Sequence, residues 1–228
     1  MLNEDLTTQS FNRRGFLKAS VAGMASVAAT VATASLVGAA PADLFSSTSG
    51  SIAPVKRYYN TSTGKHFFTL NPSRFGNLLD GYSLEDSSAF YVLTSSSVPE
   101  SAFNTPFTSS SKKKKKKTKY TAEQFYCFTN APYGDPFNAP DRSKVDYLFT
   151  TNDSAEGANY GRFSQNDLGF VFDIEYHPPY TVPLFRFYNG TIGEHFYTAS
   201  YSEYQNIRAY LPSYTYEGVA AYVYSANF

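Results

Sequence analysis

The sequence predicts a mainly β domain built from three similar units. Aromatic residues make up 18% of the 228 residues, with 20 Tyr and 20 Phe, and aromatic side chains are enriched in strands. Short strand patterns alternate with turns that contain Gly and Asn. Residues 58–71 (YYNTSTGKHFFTLN) and 187–200 (FYNGTIGEHFYTAS) are near copies of each other. Two versions of one unusual segment in a short chain indicate an internal repeat.

Residues 1–42 are predicted to be an export signal that precedes the fold. Arg13 and Arg14 come before an uncharged, Ala-rich run that ends in an A-x-A cleavage site at 40–42. The pattern resembles the twin-arginine export signals of bacteria. We therefore expect a protein located outside the cell or at its surface, with no membrane span after signal cleavage. An uncleaved membrane anchor is the alternative, but Ala, Ser, Thr and Gly make the run weakly apolar.

Two further segments are predicted to lack a fold of their own. Residues 43–53 are a flexible lead-in, and 95–122 are a disordered Ser/Thr-rich insertion that ends in a polylysine run. No aromatic residues are interleaved with the lysines, so a solvated loop is favoured over a specific nucleic-acid site. Cys127 is the single cysteine, which excludes an intramolecular disulfide. Residues 54–228 are then a single domain, expected to be a monomer.

The first and last units, 54–94 and 182–224, share one order of elements: a hairpin, a short helix and a closing strand. In the first unit Asn71 suits a helix cap. In the last unit Ser200 and Glu203 form a capping-box pattern. Both turn glycines are expected to have positive φ. Four pairs of identical residues lie at one constant offset of 129: Arg57 and Arg186, Gly64 and Gly193, His66 and His195, Thr69 and Thr198.

The middle unit, 123–176, keeps the strand patterns and loses the polar pattern. Tyr147 stands where the other units have His, and the hairpin turn is enlarged to APYGDPFNAPDRS. Units of this kind cannot each bury an apolar face alone, so we expect three of them to pack around a pseudo-threefold axis. The predicted architecture is β-trefoil-like, and a small propeller-like or other closed β assembly is the alternative.

The last unit resembles a repeat of secreted bacterial proteins of unknown function. Its segments FRFYN, GEHFYT and YEGVAAY are similar to the pattern Y-R-x-Y-N, G-x-H-F-Y-T and Y-E-G-x-A. Such repeats usually come in threes and are often appended to cell-wall hydrolases. In the first unit Arg74 replaces the Glu that lies eight residues after the His, and the Y-E-G triplet is absent. The resemblance implies an ancillary surface-binding module, for polysaccharide, and no catalytic domain.

The candidate ligand-binding residues lie on the two similar hairpins, where aromatic faces could stack on sugar rings and charged groups could bond to hydroxyls. These residues are Arg57, Tyr59, His66, Arg186, Tyr188, Glu194, His195 and Tyr197. Strand alternation places His195 and Tyr197 on one face. The alternative is structural: Arg and His bond to turn carbonyls within each hairpin. Glu203 is then expected to act as a helix cap.

No catalytic motif is present, since the sequence has no G-x-S-x-G, H-E-x-x-H or glycine-rich phosphate loop. Metal binding is disfavoured because His66 and His195 belong to different units, and no cofactor is expected. We therefore expect a secreted, non-catalytic module that binds a glycan or other cell-wall polymer. Two alternatives stay open: a polysaccharide or peptidoglycan hydrolase with unrecognised carboxylates, and a surface adhesin that binds a protein.

Overall fold

The chain divides into Met1–Val37 and Gly38–Phe228, and every residue that the structure describes belongs to the second part. The structure is a computed structural model. The predicted export signal and most of the predicted lead-in and insertion lie outside the described residues. Within the described ranges no helix is long and apolar enough to cross a membrane. These ranges are 52–97, 120, 122–152, 156, 160–178 and 180–224.

The described part is mainly β, as predicted. The strands are β1 Ile52–Asn60, β2 Lys65–Thr69, β3 Tyr82–Leu93, β4 Ala122–Gln124, β5 Tyr126–Thr129, β6 Tyr147–Thr150, β7 Gly161–Arg162, β8 Phe170–Phe172, β9 Thr181–Asn189, β10 Glu194–Thr198 and β11 Tyr214–Tyr224. Helix α1 is Tyr201–Tyr210. Strand β1 begins inside the stretch that the sequence predicts as a lead-in, and β4 begins at the last residue of the predicted insertion. Short 3-10 turns occupy Pro72–Arg74, Gly76–Leu79, Pro132–Gly134, Pro136–Asn138, Arg142–Lys144 and Ser164–Asn166.

The strands form two antiparallel sheets, neither of which is closed. The larger sheet has the order β10-β9-β11-β8-β3-β1-β2, with β4 paired to β8, and the smaller is β6-β5-β7. The hairpins β1–β2 and β9–β10 have the same register, with Tyr59 opposite His66 and Tyr188 opposite His195. The repeat at offset 129 is therefore present in the backbone pairing.

The core is aromatic where β2, β6 and β10 meet. Phe68, Phe149 and Tyr197 occupy the same position in these three strands, and their ring centroids are 5.6–6.4 Å apart in all three pairs. The Tyr197 hydroxyl donates to the Phe149 carbonyl at 3.1 Å and accepts from its N–H at 2.8 Å. A buried Tyr hydroxyl needs such partners. Tyr197 is only 1% exposed, so this ring holds two units together from inside.

The predicted helices have different outcomes in the first and last units. In the first unit two 3-10 turns, Pro72–Arg74 and Gly76–Leu79, replace the predicted helix, and the Asn71 side chain caps neither. The glycine that opens the second turn has φ +22°, which interrupts a helical run. In the last unit α1 forms as predicted, and the Ser200 hydroxyl accepts from the Glu203 N–H at 3.3 Å. The Glu203 carboxylate, expected to cap the helix, bonds elsewhere.

Candidate functional site at the unit junctions

The repeated Arg and His side chains lie at junctions between units. At each junction, a hairpin meets acidic side chains of another unit. We call the group where the last unit meets the first the Arg57 cluster, and the group where the middle unit meets the last the Arg186 cluster. The Arg57 cluster consists of Arg57, Tyr59, His66, Glu85, Glu194, Glu203 and Tyr214. The Arg186 cluster consists of Arg186, Tyr188, His195, Glu217, Asp146, Glu156 and Tyr160.

In the Arg57 cluster the guanidinium joins the first hairpin to α1. Its Nη1 and Nη2 donate to the two carboxylate oxygens of Glu203 at 2.9 and 3.1 Å. Its Nε donates to Glu85 on β3 at 2.7 Å. Arg57 is only 6% exposed, and a guanidinium is tolerated at this depth when its donors are paired. The bidentate pair therefore fixes α1 against the first unit.

His66 lies between two carboxylates of the same cluster. Its backbone N–H donates to Glu194 Oε1 at 2.5 Å, and its Nδ1 lies 2.9 Å from the same oxygen. Its Nε2 is 3.4 Å from Glu85. The Tyr214 hydroxyl donates to the second Glu194 oxygen at 2.7 Å, and the Tyr59 ring lies 4.8 Å from the imidazole. Glu194 thus accepts three bonds, and it bonds to His66 although it directly precedes another His in the chain.

The Arg186 cluster repeats the arginine contacts. Nη1 and Nη2 of Arg186 lie 2.9 Å from the two oxygens of Glu156, to which they donate, and Nε lies 2.9 Å from Glu217. Hydrogen bonds from Arg186 lower the pKa of the Glu156 carboxyl to about 2, so the carboxylate is charged at neutral pH. The Glu156 side chain is 37% exposed, whereas that of Glu203 in the Arg57 cluster is 12% exposed. Water therefore screens this pair more strongly.

The histidine contacts are repeated as well. The backbone N–H of His195 donates to Asp146 Oδ1 at 2.7 Å, and Nδ1 lies 2.7 Å from Oδ2. Nε2 is 3.4 Å from Glu217. The Tyr160 hydroxyl donates to Asp146 at 3.0 Å, and the Tyr188 ring lies 4.8 Å from the imidazole. The two clusters therefore make the same set of contacts. The residue that makes a given contact in one cluster belongs to a different unit from the residue that makes it in the other cluster.

Where the first unit meets the middle one, the described residues form no such cluster. Lys65 stands at the position of Glu194 and Asp146, and its Nζ donates to the carbonyls of Val145 and Gly193 at 2.8 and 2.9 Å. Burial lowers the pKa of Lys65, and the carboxylates of Asp146, Glu194 and Asp141 oppose that effect. The middle unit has Tyr in place of His and Cys in place of Arg. At this junction, a contact between the Lys65 ammonium and backbone carbonyls thus replaces the contact between a carboxylate and a histidine.

A family model matches residues 37–133 and 143–227, which include every member of both clusters. The chain belongs to this family, described as Domain of unknown function (DUF5648). The membership agrees with the resemblance to a family of unknown function. No curated protein and no solved structure matches the chain. The residues between the two matched segments belong to the enlarged turn of the middle unit. This turn forms three 3-10 turns, two of which are capped by the side chains of Asp135 and Asp141.

In this DUF5648 member the predicted site residues do not form one site. Six of them divide between the two clusters as pairs with the same role: Arg57 and Arg186, Tyr59 and Tyr188, His66 and His195. Glu194 joins the cluster of the first hairpin. Tyr197 shares a strand face with His195, as predicted, but its ring is in the core. The expected bonds from Arg and His to turn carbonyls within each hairpin are replaced by bonds to carboxylates, most of them from another unit, because the hairpin faces are interior.

Seven members of the clusters were not among the predicted site residues. Glu203 was expected only as a helix cap, and Glu217 was only part of the repeat pattern YEGVAAY. The other five were missed entirely: Glu85, Asp146, Glu156, Tyr160 and Tyr214. Two of them carry a signal in the sequence. Glu85 holds the role of Glu217, but it follows its histidine by 19 residues instead of 22, because α1 is longer than the two 3-10 turns. Asp146 directly precedes Tyr147, as Glu194 precedes His195. The remaining three are visible only once the units are packed.

The side chains of the two clusters connect the units through ion pairs and hydrogen bonds. The described residues contain no group of three His, Cys, Asp or Glu that could hold a metal ion. Burial raises the pKa of the Cys127 thiol well above its ordinary value, which disfavours the thiolate form. The imidazoles and guanidiniums are covered and bonded to carboxylates. The arrangement can hold units in register, because a fully bonded polar network is rigid.

Proposed function

We propose that the protein is an exported, non-catalytic module that binds glycans at its surface, and that the two clusters connect its units. One observation carries the proposal: the repeated Arg and His side chains are largely covered and bonded to carboxylates, while several tyrosine rings face solvent. The exposed rings are Tyr133 at 102%, Tyr176 at 63%, Tyr201 at 62% and Tyr210 at 68%. Exposed aromatic faces stack on sugar rings, with the phenol available for hydrogen bonds.

The covered imidazoles support the non-catalytic part of the proposal. A general acid or base must come within hydrogen-bond distance of the substrate. The side chain of His66 is 8% exposed and that of His195 is 9% exposed. Each imidazole also has one carboxylate within hydrogen-bond distance of Nδ1 and a second carboxylate 3.4 Å from Nε2. A substrate would have to displace a carboxylate that already has two or three bonding partners.

The architecture we propose is β-trefoil-like, with the three units around a pseudo-threefold axis. The mutual contact of Phe68, Phe149 and Tyr197 supports it. So does the pairing of β3, β8 and β11 with one another, which occurs within the last three residues of β3 and of β11. The twin-arginine pattern supports export in a bacterium, and the module would then work as a monomer outside the cell, on cell-surface or environmental glycans.

The purified full-length protein on an array of cell-wall and plant polysaccharides tests the proposal. We expect saturable binding to a glycan and no release of reducing sugar or muropeptide. The variant His195→Gln should lower Tm and retain binding at temperatures where it is folded, because the ring is a connector. Turnover of a polysaccharide would overturn the non-catalytic proposal. Lost binding at an unchanged Tm would instead make the Arg186 cluster the ligand site.

A further inference from the structure

We propose that the glycan surface is the outer face of α1, and that it takes a sugar that carries a carboxylate. This inference rests on the proposed function and names the site and the ligand class. The surface, called here the α1 face, consists of Phe185, Tyr201, Tyr204, Arg208 and Tyr216.

The α1 face contains an exposed tyrosine that is supported by other rings. The ring of Tyr201 is stacked on Tyr204, with centroids 5.6 Å apart and planes 25° apart. Tyr204 is stacked in turn on Phe185 at 4.2 Å and 23°, and Phe185 is only 7% exposed. Tyr201 itself is 62% exposed. Its ring is therefore held by packing while much of its surface remains available, which lowers the ordering cost of binding.

Arg208 provides a fixed cation on the same face. Its guanidinium lies 5.7 Å from the ring centre of Tyr204 and 5.6 Å from that of Tyr216, within the range of a cation–π contact. Its Nη1 donates to the Tyr204 hydroxyl at 2.9 Å. Tyr201, Tyr204 and Arg208 are spaced as i, i+3 and i+7, so they share one side of the helix. The exposed ring and the cation thus form one continuous strip.

The charge of Arg208 is not neutralised by a neighbour. Arg57, Arg162 and Arg186 each have a carboxylate within 4.0 Å. Among the described residues no Asp or Glu lies within that distance of Arg208, which is exposed. A guanidinium keeps its full charge and has five N–H donors in a planar fork that matches a carboxylate. Most of these donors are available, which favours an anionic ligand group.

The composition of the α1 face favours a sugar over a protein. The exposed large hydrophobic residues of this helix are tyrosines, Tyr201 and Tyr210, with no exposed aliphatic side chain among them. A protein hot spot needs surrounding contacts that exclude water. A single exposed ring beside a cation needs only a partner of sugar size, with a flat apolar side and a charged group.

The α1 face is also rigid and occurs once in the described chain. Ser200 caps the helix at its start, and Glu203 on the opposite side is clamped by Arg57. The first unit has 3-10 turns at the corresponding place, so the repeat does not duplicate the surface. We therefore expect one such site among the described residues.

Affinity electrophoresis of the full-length protein in polygalacturonic acid, and in the same polymer after full methyl esterification, tests the inference. We expect retardation by the acid form, and binding weaker by at least about tenfold for the ester. Tyr201→Ala and Arg208→Gln should each weaken binding to the acid form by about tenfold or more. Added salt should weaken it too, because the Arg–carboxylate contact is exposed.

Tyr176→Ala is the matched control, since it removes an exposed tyrosine elsewhere and should leave binding unchanged. If the wild type binds and the two α1 variants bind equally well, the α1 site is wrong while the proposed function stands. Equal binding of the acid and the ester would contradict the proposal that the ligand carries a carboxylate. If no polysaccharide of the array or of this pair is bound, the proposed function fails together with the inference.

Discussion

The junction between the first and middle units differs from the two junctions that hold the clusters. The difference lies in the charge of the side chain that is buried between the units. At the two junctions with a cluster, a carboxylate from one unit meets a histidine of the next. At the third, Lys65 meets backbone carbonyls, and the histidine position is Tyr147. A buried charge needs a partner, so an acid at the third junction would have had none. The comparison shows that where the charge of the buried side chain changes, the group that pairs with it changes too.

A second lesson concerns what these networks contribute. Buried ionic networks often add little net stability, yet removing one partner is costly because the other charge is left buried and unpaired. We therefore propose that the clusters select one arrangement of the units more than they stabilise it. Single substitutions should be damaging, and compensating pairs should be tolerated.

The largest effect is expected for Arg57→Ala. The substitution leaves Glu203 without its ion-pair partner and leaves Glu85 with only the His66 imidazole 3.4 Å away, and these two side chains are 12% and 16% exposed. We expect the free energy of unfolding to fall by about 3–5 kcal/mol in denaturant titrations. Arg208→Ala is the control, because that guanidinium is exposed and has no carboxylate partner among the described residues, so its loss should be much smaller. Equal losses for both would contradict a connecting role for Arg57.

The next effect tests whether the third junction can be converted. Lys65→Glu places a third carboxylate near Asp146 and Glu194, and Tyr147→His puts an imidazole where the other junctions have one. Each single variant should be destabilised. In the double variant we expect a favourable coupling of about 1–3 kcal/mol in a double-mutant cycle. Strictly additive losses would show that the junctions differ in more than these two positions.

A smaller effect is expected when a central carboxylate becomes an amide. Glu194 accepts from a backbone N–H, an imidazole and a tyrosine hydroxyl, and an amide group cannot accept all of these. Glu194→Gln and Asp146→Asn should each cost about 1–3 kcal/mol in chemical unfolding. Glu175→Gln, at an exposed residue, should cost almost nothing. A loss at only one of the two clusters would break their equivalence.

The smallest effect is the pH dependence of the Arg186 cluster. The pKa of Glu156 is about 2 in the folded protein, below its usual value of about 4.3 in an unfolded chain. A depressed carboxyl pKa stabilises the fold above the unfolded value, and the contribution is lost as pH falls from about 5 to 2. The Tm difference between wild type and Glu156→Gln should shrink over that range in calorimetric scans. A difference that is constant with pH would mean that the carboxylate charge does not matter.

Local features of the fold were predictable because local chemistry determines them. The turn glycines Gly64 and Gly193 have φ +74° and +62°, as the hairpin pattern predicts. Ser200 caps α1. The prediction of a helix in the first unit was wrong. A glycine in the middle of that segment affects helix formation more than the cap residue before it does. The partner of Arg57 could not be predicted, because Glu203 is 146 residues away in the chain.

The amino-acid sequence by itself determined the β class, the repeat at offset 129 and the hairpins, since these depend on side-chain patterning and turn residues within short windows. The tertiary structure alone decided which acid meets which base. Glu194 precedes His195 in the chain, yet it bonds to His66, 128 residues away. In a strand, neighbouring side chains point to opposite faces, so adjacent residues contact different partners. Which partners they contact depends on how the units pack.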